Sequence, residues 1–423
     1  MNPAHTINRP AWPAHDAVVR PWRQRQRGGT RADRIFAEVV AYVPPAIADL
    51  PVAAPPELVL LGEEALVAAA RSDARGRGRS AALGRFMVRS ESVASSKIER
   101  ITPDSVALAR ALAGQGKSAP ARSVVAAMEA IHGLLLRAGS TGRITRDDVL
   151  DAHAALMRED SDPGDRAWAG RFRAEQNWLG GSDHSPRDAV FVPPPPDLVP
   201  NLMSDLIRFA NRDDVPVLIQ AAIVHAQFES IHPFTDGNGR IGRALIGALL
   251  QRRGVTLYAT LPVACALGAM RPRYFEALAA YRRGEIDALV RILGVAITVA
   301  ADEAGVSFLR LRALPGRWRC LLGVPAESAE DRILEFLHDR TTLMLSDLVT
   351  HTGAPADTLA GVTDALEAAG ILREVTGRLR ERIWVVADVV DELDDLERRI
   401  HARLASGAGA GAGAAAVPTS SGG

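Results

Sequence analysis

Residues 231–247 read IHPFTDGNGRIGRALIG, and the conformation this stretch demands decides what the rest of the chain must build. Proline disfavours helical geometry in the residue before it, so Pro233 ends at His232 the apolar run VPVLIQAAIVHAQFESI (215–231), which has the all-round apolarity of a helix buried at a domain centre. Gly237 and Gly239 admit positive φ and predict a loop whose backbone N–H groups turn inward just before a second helix starts at Arg240. Such a loop and helix N-terminus form an anion site. Asp236 is a hard carboxylate of the kind that holds Mg²⁺ beside substrate phosphates. Asn238 adds an amide donor, and Arg240 and Arg243, three apart on one helix face, can both reach a polyphosphate. A base, a metal ligand, an anion cradle and two guanidinium groups together predict a nucleoside triphosphate site with His232 placed to deprotonate a hydroxyl. No glycine-rich loop ending in Lys and Ser/Thr is present, which excludes a P-loop enzyme.

Outward from this stretch the pattern is mainly helical. Residues 1–34 carry Pro, Gly and Arg without periodicity and read as a mobile arm; a proline-punctuated extended segment follows from Tyr42. Apolar residues at three and four spacing predict helices from Glu63 through Gly139, and Thr145 caps another whose first turn is acidic. Between Gly170 and Pro196 the stretches Asn177–Leu179 and Ala189–Val192 read as two short strands of a hairpin. Near Pro315 the spacing changes: Ala329–Arg340, Ser346–Gly353 and Ala356–Ala369 predict three short helices, and Gly370–Val386 alternates like a hairpin around Gly377. Three helices and a wing predict a winged-helix unit, followed by a helix and a low-complexity tail. The domain reading is therefore an arm (1–34), an N-terminal helical region (35–120), a central domain (121–314), a winged-helix unit (315–390) and a C-terminal helix and tail (391–423).

The 423 residues exceed one ordinary core. No uninterrupted apolar run approaches the ~20 residues of a membrane span, and no cleavable leader is apparent, so a soluble cytoplasmic protein without membrane partners is expected. Fifty basic and fifty acidic residues give zero formal net charge and no global attraction to nucleic acid or anionic lipid. Cys265 and Cys320 are expected as buried reduced thiols.

His232-Pro-Phe-Thr-Asp-Gly-Asn-Gly-Arg-Ile-Gly-Arg243 resembles the Fic signature HPFx(D/E)GNGRxxR without a substitution. The resemblance implies a mainly α fold, a Fic-type helical domain with a small β-hairpin flap followed by a winged helix. It implies protein adenylylation, in which AMP passes from ATP to a Ser, Thr or Tyr hydroxyl of a target protein. His232 is then the general base, Asp236 the Mg²⁺ ligand, Gly237, Asn238 and Gly239 the anion hole, and Arg240 and Arg243 the β- and γ-phosphate ligands, with Phe234 anchoring the loop. Ser95-Ser-Lys-Ile-Glu99 is similar to the family's inhibitory helix, (S/T)xxxE(G/N), in which Glu99 pairs with Arg243 and excludes the γ-phosphate; Arg100 stands where that pattern has Gly or Asn. The hairpin resembles the flap that pairs with an extended target loop, which puts Trp178, Leu179, Val190, Phe191 and Val192 at the target. Tyr274-Phe275 matches an aromatic pair beside the adenine. Tyr42-Val-Pro-Pro and Gly170-Arg-Phe-Arg extend the likeness to about residues 35–390, the bacterial subgroup with an N-terminal inhibitory helix and a C-terminal winged helix.

Two other uses of the same site are de-AMPylation, with Glu99 positioning water, and transfer of another phosphate-containing group. A third reading is a winged-helix DNA-binding regulator that senses nucleotide. Against it, ADTLAGVTDALEAAG (356–370) carries Asp357, Asp364 and Glu367 and no cation, while only the wing, with Arg373, Arg378, Arg380 and Arg382 among Glu374 and Glu381, is basic. A protein contact or dimerisation fits that unit better than DNA; the expected partners are a target protein bound at the flap, the chain itself as a target, and a second copy in a homodimer.

Overall fold

Capping residues and apolar spacing translate directly into the elements of the computed structural model, which describes residues 11–24, 28–76, 80–338, 340–377 and 382–407. Residues 1–10, the wing residues Arg378, Arg380 and Glu381, and the tail from 408 lie outside the described residues. The first elements are β1 (Asp16–Pro21), α1 (Arg31–Ile35) and β2 (Glu38–Val43). β1 and β2 pair antiparallel with Asp16 opposite Val43, and Trp12 is buried against Tyr281 at 6.2 Å. Residues 11–24 and 28–34 are thus no mobile arm: the aromatic anchor and six ladder pairs outweigh the Pro/Gly composition.

The helical body contains α2 (Pro56–Arg75), α3 (Ser80–Ile98), α4 (Ser105–Leu112), α5 (Ala119–Thr141), α6 (Arg146–Met157), α7 (Pro163–Ala167), α8 (Val199–Ala210), α9 (Val217–Ile231), α10 (Asn238–Arg252), α11 (Val263–Ala269), α12 (Arg271–Arg282) and α13 (Asp287–Leu322). The expected Thr145 cap opens α6, its side chain accepting from the Asp148 N–H while Asp148 reaches back to Thr145. α9 is the central helix, buried from Leu218 to Ile231. Its interior polar groups are mostly satisfied: Gln220 donates to the Phe209 carbonyl at 2.9 Å, and Gln227 accepts from the Tyr281 hydroxyl at 2.7 Å. α13 continues through Pro315 to Leu322, so the change of spacing there does not break the helix. By length and composition α13 is the one helix among the described residues able to cross a membrane; 67% of its most apolar window is buried inside the fold, the position of a core helix.

Beyond it come α14 (Ala329–His338), β3 (Thr342–Met344), α15 (Leu345–Thr352), α16 (Ala356–Ala368), β4 (Leu372–Glu374), β5 (Ile383–Val386) and α17 (Ala387–Ala405). The three short helices stand where the spacing predicts, and the wing strands pair as β4 with β5. β3, which the sequence did not reveal, completes an antiparallel sheet of order β3-β5-β4. α17 returns to the helical body, where Arg399 pairs with Glu303 at 2.8 Å and Lys97 of α3 with Glu397 at 2.7 Å. Cys265 is buried as expected, whereas Cys320 is exposed near the end of α13.

Candidate active site

α9 and α10 meet at the loop 232–237. α9 ends at Ile231, and His232 leaves the helix in the left-handed conformation (φ 49°), with Pro233 disfavouring another right-handed helical residue before it. Gly237 also has positive φ (76°) and precedes α10, which begins at Asn238 rather than Arg240. Gly239 is already helical; its role is close approach instead of positive φ. A Cβ there would stand 2.0 Å from Glu99 Oε1 and 2.9 Å from Arg243 Nη1.

The loop is held from three sides. Asn238, expected as a free donor, is buried: its Nδ2 donates to the Phe234 carbonyl and its Oδ1 accepts from the Phe234 N–H, both at 2.9 Å. Asn177 donates to the same carbonyl at 3.0 Å, tying the hairpin to the loop. Phe234 is fully buried, as expected, and stacks on His153 at 3.7 Å. The Gly170 N–H donates to His153 Nδ1 at 3.0 Å, which places the proton on Nε2, where it is donated to the Asp236 carbonyl at 3.1 Å. Burial takes the His153 pKa down to about 4, so this tautomer is neutral.

Sequence reasoning gave Arg173 no role, yet it closes the exit of α9. Its Nε donates to the His232 carbonyl at 2.9 Å, Nη1 to the Glu175 carbonyl at 2.9 Å and Nη2 to the Pro194 carbonyl at 2.6 Å. The orphan carbonyls of a helix end need such donors. The signal was present in Gly170-Arg-Phe-Arg, but only the fold shows which groups that arginine meets.

His232 itself is half-buried, and its Nδ1 is shut from solvent without a hydrogen-bond partner. Burial, then the charges of Arg173 and Arg282, hold its pKa down to about 3, with Glu99 pulling the other way. A neutral imidazole at physiological pH can accept a proton. Asp236 is half-exposed and pairs with Arg240 at 3.0 Å. Arg240 is 2% exposed and also donates to Ser123 at 2.8 Å, so it orients the loop carboxylate instead of reaching outward as the sequence suggested. A single exposed carboxylate fits Mg²⁺, which usually takes one or two carboxylates and completes its shell with phosphates and water; the described residues offer no cluster of three ligands.

Arg243 is the hub. Its Nη2 donates to Glu99 Oε1 at 2.8 Å and to the Ser95 carbonyl at 2.9 Å, and its Nε to Ser95 Oγ at 2.9 Å. The structure thus brings together the two segments that the sequence singled out 144 residues apart. The Arg100 substitution does not prevent helix termination: Arg100 adopts φ 63° and donates to the Lys97 carbonyl at 3.0 Å, and Ile101 to the Ser96 carbonyl at 2.9 Å, a Schellman end with Glu99 as its cap. Below Arg243 lies Glu229, another residue the sequence did not flag, three before His232 on α9. Burial raises its pKa to about 7, and Oε1 has no hydrogen-bond partner.

Tyr274, expected beside the adenine, is committed to a buried hydrogen bond. It is 1% exposed, and its hydroxyl donates to His225 Nε2 at 2.7 Å, while His225 Nδ1 donates to the Gly242 carbonyl at 2.8 Å. Phe275 is 43% exposed beneath Arg271. In the hairpin the Leu179 N–H donates to the Phe191 carbonyl at 2.8 Å, a single bridge where longer strands were expected. Phe191 and Val192 point inward: Tyr42 donates its N–H to the Val192 carbonyl at 2.9 Å, and the Arg282 guanidinium lies 3.5 Å from the Phe191 ring centre. Trp178 packs edge-on against Trp22 at 5.3 Å. Of the five expected target contacts, Val190 is the fully exposed one.

Residues 143–250 match the Fic/DOC family. Over 68 residues the chain is 46% identical to a probable protein adenylyltransferase of Aquifex aeolicus, covering 16% of this chain and 21% of that protein. Over 143 residues it is 32% identical to a protein adenylyltransferase of Caenorhabditis elegans, covering 30% and 25%. These matches span no more than about a quarter of the curated relatives' length. A crystal structure of a Fic family protein from Desulfovibrio desulfuricans superposes with a TM-score of 0.51 at 22% identity, covering 79% of this chain and 97% of that one.

Proposed function

We propose, for a chain that belongs to the Fic family through residues 143–250, that it transfers AMP from ATP to a Ser, Thr or Tyr hydroxyl of a protein, and that Glu99 holds this activity down. The observation that carries the reading is the position of the Glu99 carboxylate. It lies on Gly239 at the first turn of α10 and is paired with Arg243, the place where amide dipoles and a guanidinium favour a phosphate oxygen. A carboxylate there stands in for the terminal phosphate and competes with it.

With Glu99 withdrawn, Arg243 and the amides of the α10 turn carry the charge of the phosphates. Neutral His232 accepts the acceptor hydroxyl's proton as its oxygen attacks the α-phosphorus; the bond to the bridging oxygen breaks, and pyrophosphate leaves with the electron pair. Mg²⁺ on Asp236, oriented by Arg240, would neutralise phosphate charge when bound. The exposed edge at Val190 supports pairing with an extended acceptor segment, on another protein or on a second copy of this one.

The test uses ATP labelled at the α- or the γ-phosphate with the parent protein, Glu99→Gly and His232→Ala. Adenylyl transfer gives strong α-label on Glu99→Gly, weak label on the parent and none on His232→Ala. Retained γ-label overturns the reading in favour of phosphoryl transfer. No α-label on Glu99→Gly, or equal α-label on His232→Ala, removes it altogether.

A further inference from the structure

We propose that the cavity between α3 and the C-terminal unit is a second anion site, one that takes a small phosphate-bearing molecule with Arg89 as its buried ligand. The cavity holds about 290 Å³ and lies away from the α9–α10 loop. Arg85, Arg89 and Arg340 line it together with Thr341 and Thr342, and neither Asp nor Glu is among its lining residues. Arg89 is 6% exposed, and its Nη1 is buried without a hydrogen-bond partner. A buried guanidinium nitrogen left without a hydrogen bond is costly, and a folded chain normally satisfies it. Arg89 is instead retained beside a cavity bearing two further guanidinium groups.

The chemistry of the lining selects the ligand. The guanidinium groups of Arg89 and Arg340 and two hydroxyls offer more donors than the two oxygens of a carboxylate can use, whereas a phosphate presents three oxygens to them. Phe86, Leu311 and Val389 make the remaining wall apolar, so the phosphate carries a compact apolar body. The volume is at the lower limit of ligand pockets, about 300 Å³, and suits a small metabolite better than a nucleoside triphosphate. Burial brings the Arg89 pKa down to about 10, against the charge of Asp394, which leaves it cationic at neutral pH. The site shares α3 with Glu99, ten residues or about 15 Å along the helix, so a bound anion acts on the element that carries the inhibitory carboxylate.

The test is isothermal titration calorimetry and thermal unfolding of the full chain with inorganic phosphate and with phenyl phosphate, against sodium chloride of equal ionic strength. Phosphate raises the melting temperature by about 2 °C or more over chloride when present well above its dissociation constant, and phenyl phosphate binds more tightly. Arg89→Met lowers the affinity about tenfold and unfolds at the same or a higher temperature without phosphate. Should that variant misfold, Arg340→Gln, at a half-buried position, lowers the affinity while leaving Arg89 in place. Identical isotherms for the parent and both variants would locate the binding at the start of α10 and overturn the proposal. So would the absence of any phosphate-specific effect, or a response to duplex DNA alone.

Discussion

Glu99 and Arg243 form a 2.8 Å ion pair in which the arginine side chain is 2% exposed and the carboxylate 38%. The buried partner cannot relax toward water, so the pair fixes where the carboxylate sits, and that place is the backbone of Gly239. Removing the carboxylate frees Arg243 without creating a cavity. Glu99→Gly is expected to raise self-adenylylation at least about tenfold, equivalent to ~1.4 kcal/mol of released competition, read as α-label per protein at saturating acceptor.

Ser95 contributes separately, since its hydroxyl accepts from Arg243 Nε at 2.9 Å. Ser95→Ala removes a hydrogen bond to a charged group, worth about 1.5 kcal/mol, but the backbone carbonyl of residue 95 still receives Arg243 Nη2. The expected result is partial release, smaller than that of Glu99→Gly in the same assay. Equal release by both variants would mean that the helix end, rather than the carboxylate, excludes the nucleotide.

The pH dependence follows from two carboxylates with opposite shifts. At Glu99 burial pushes the pKa up, but the charge and hydrogen bond of Arg243, with help from Arg240 and His232, bring it below the ordinary value. A depressed carboxylate stabilises above its unfolded pKa and loses that contribution as pH falls through the folded one. The clamp therefore persists from pH 5 to 8, and nucleotide affinity measured over that range shows no release. Glu229 is the reverse case, raised by burial to about 7. Its contribution is intact below the unfolded value and is lost as pH rises through 7. Glu229→Gln is expected to flatten the fall in melting temperature between pH 5 and 8, with a gain at pH 8 on the order of 2 kcal/mol.

Arg173 donates to the carbonyls of His232, Glu175 and Pro194, and no other described side chain replaces it at His232. Arg173→Met keeps the stem and leaves those carbonyls without their donor, a loss of about 2–4 kcal/mol. Denaturant unfolding measures it. Because the His232 carbonyl is one of the orphans, label transfer in the Glu99→Gly background should fall by more than the loss of folded protein explains.

Arg100 occupies a left-handed position (φ 63°) that glycine adopts without a steric cost. Arg100→Gly should stabilise the folded state by up to about 1 kcal/mol, with thermal unfolding as the readout. It should also tighten the inhibitory helix end, lowering the parent's residual self-labelling. A melting temperature below the parent's would show that the Arg100 side chain holds the turn by contacts of its own.

Much of this was legible along the chain because it is local. Pro233 stops α9 at His232, Thr145 opens α6, and the signature from His232 to Arg243 fixes loop and helix together; each depends on neighbours within a few residues. The apolar runs likewise gave the helices of the C-terminal unit. What the sequence could not settle was the partner of each polar group. Asn238 and Arg240 read as ligands of phosphate but are committed to Phe234, Asp236 and Ser123, and Tyr274 belongs to His225. Residues 11–24 and 28–34 lack periodicity and still form a strand and a short helix, because β2 and the distant Tyr281 supply the surface that orders them. Arg173, His153 and Glu229 act through groups that only the packed chain brings within hydrogen-bond or charge reach. Local backbone preference is written residue by residue; desolvation and pairing depend on every segment that closes over a group, and the tertiary structure alone decides them.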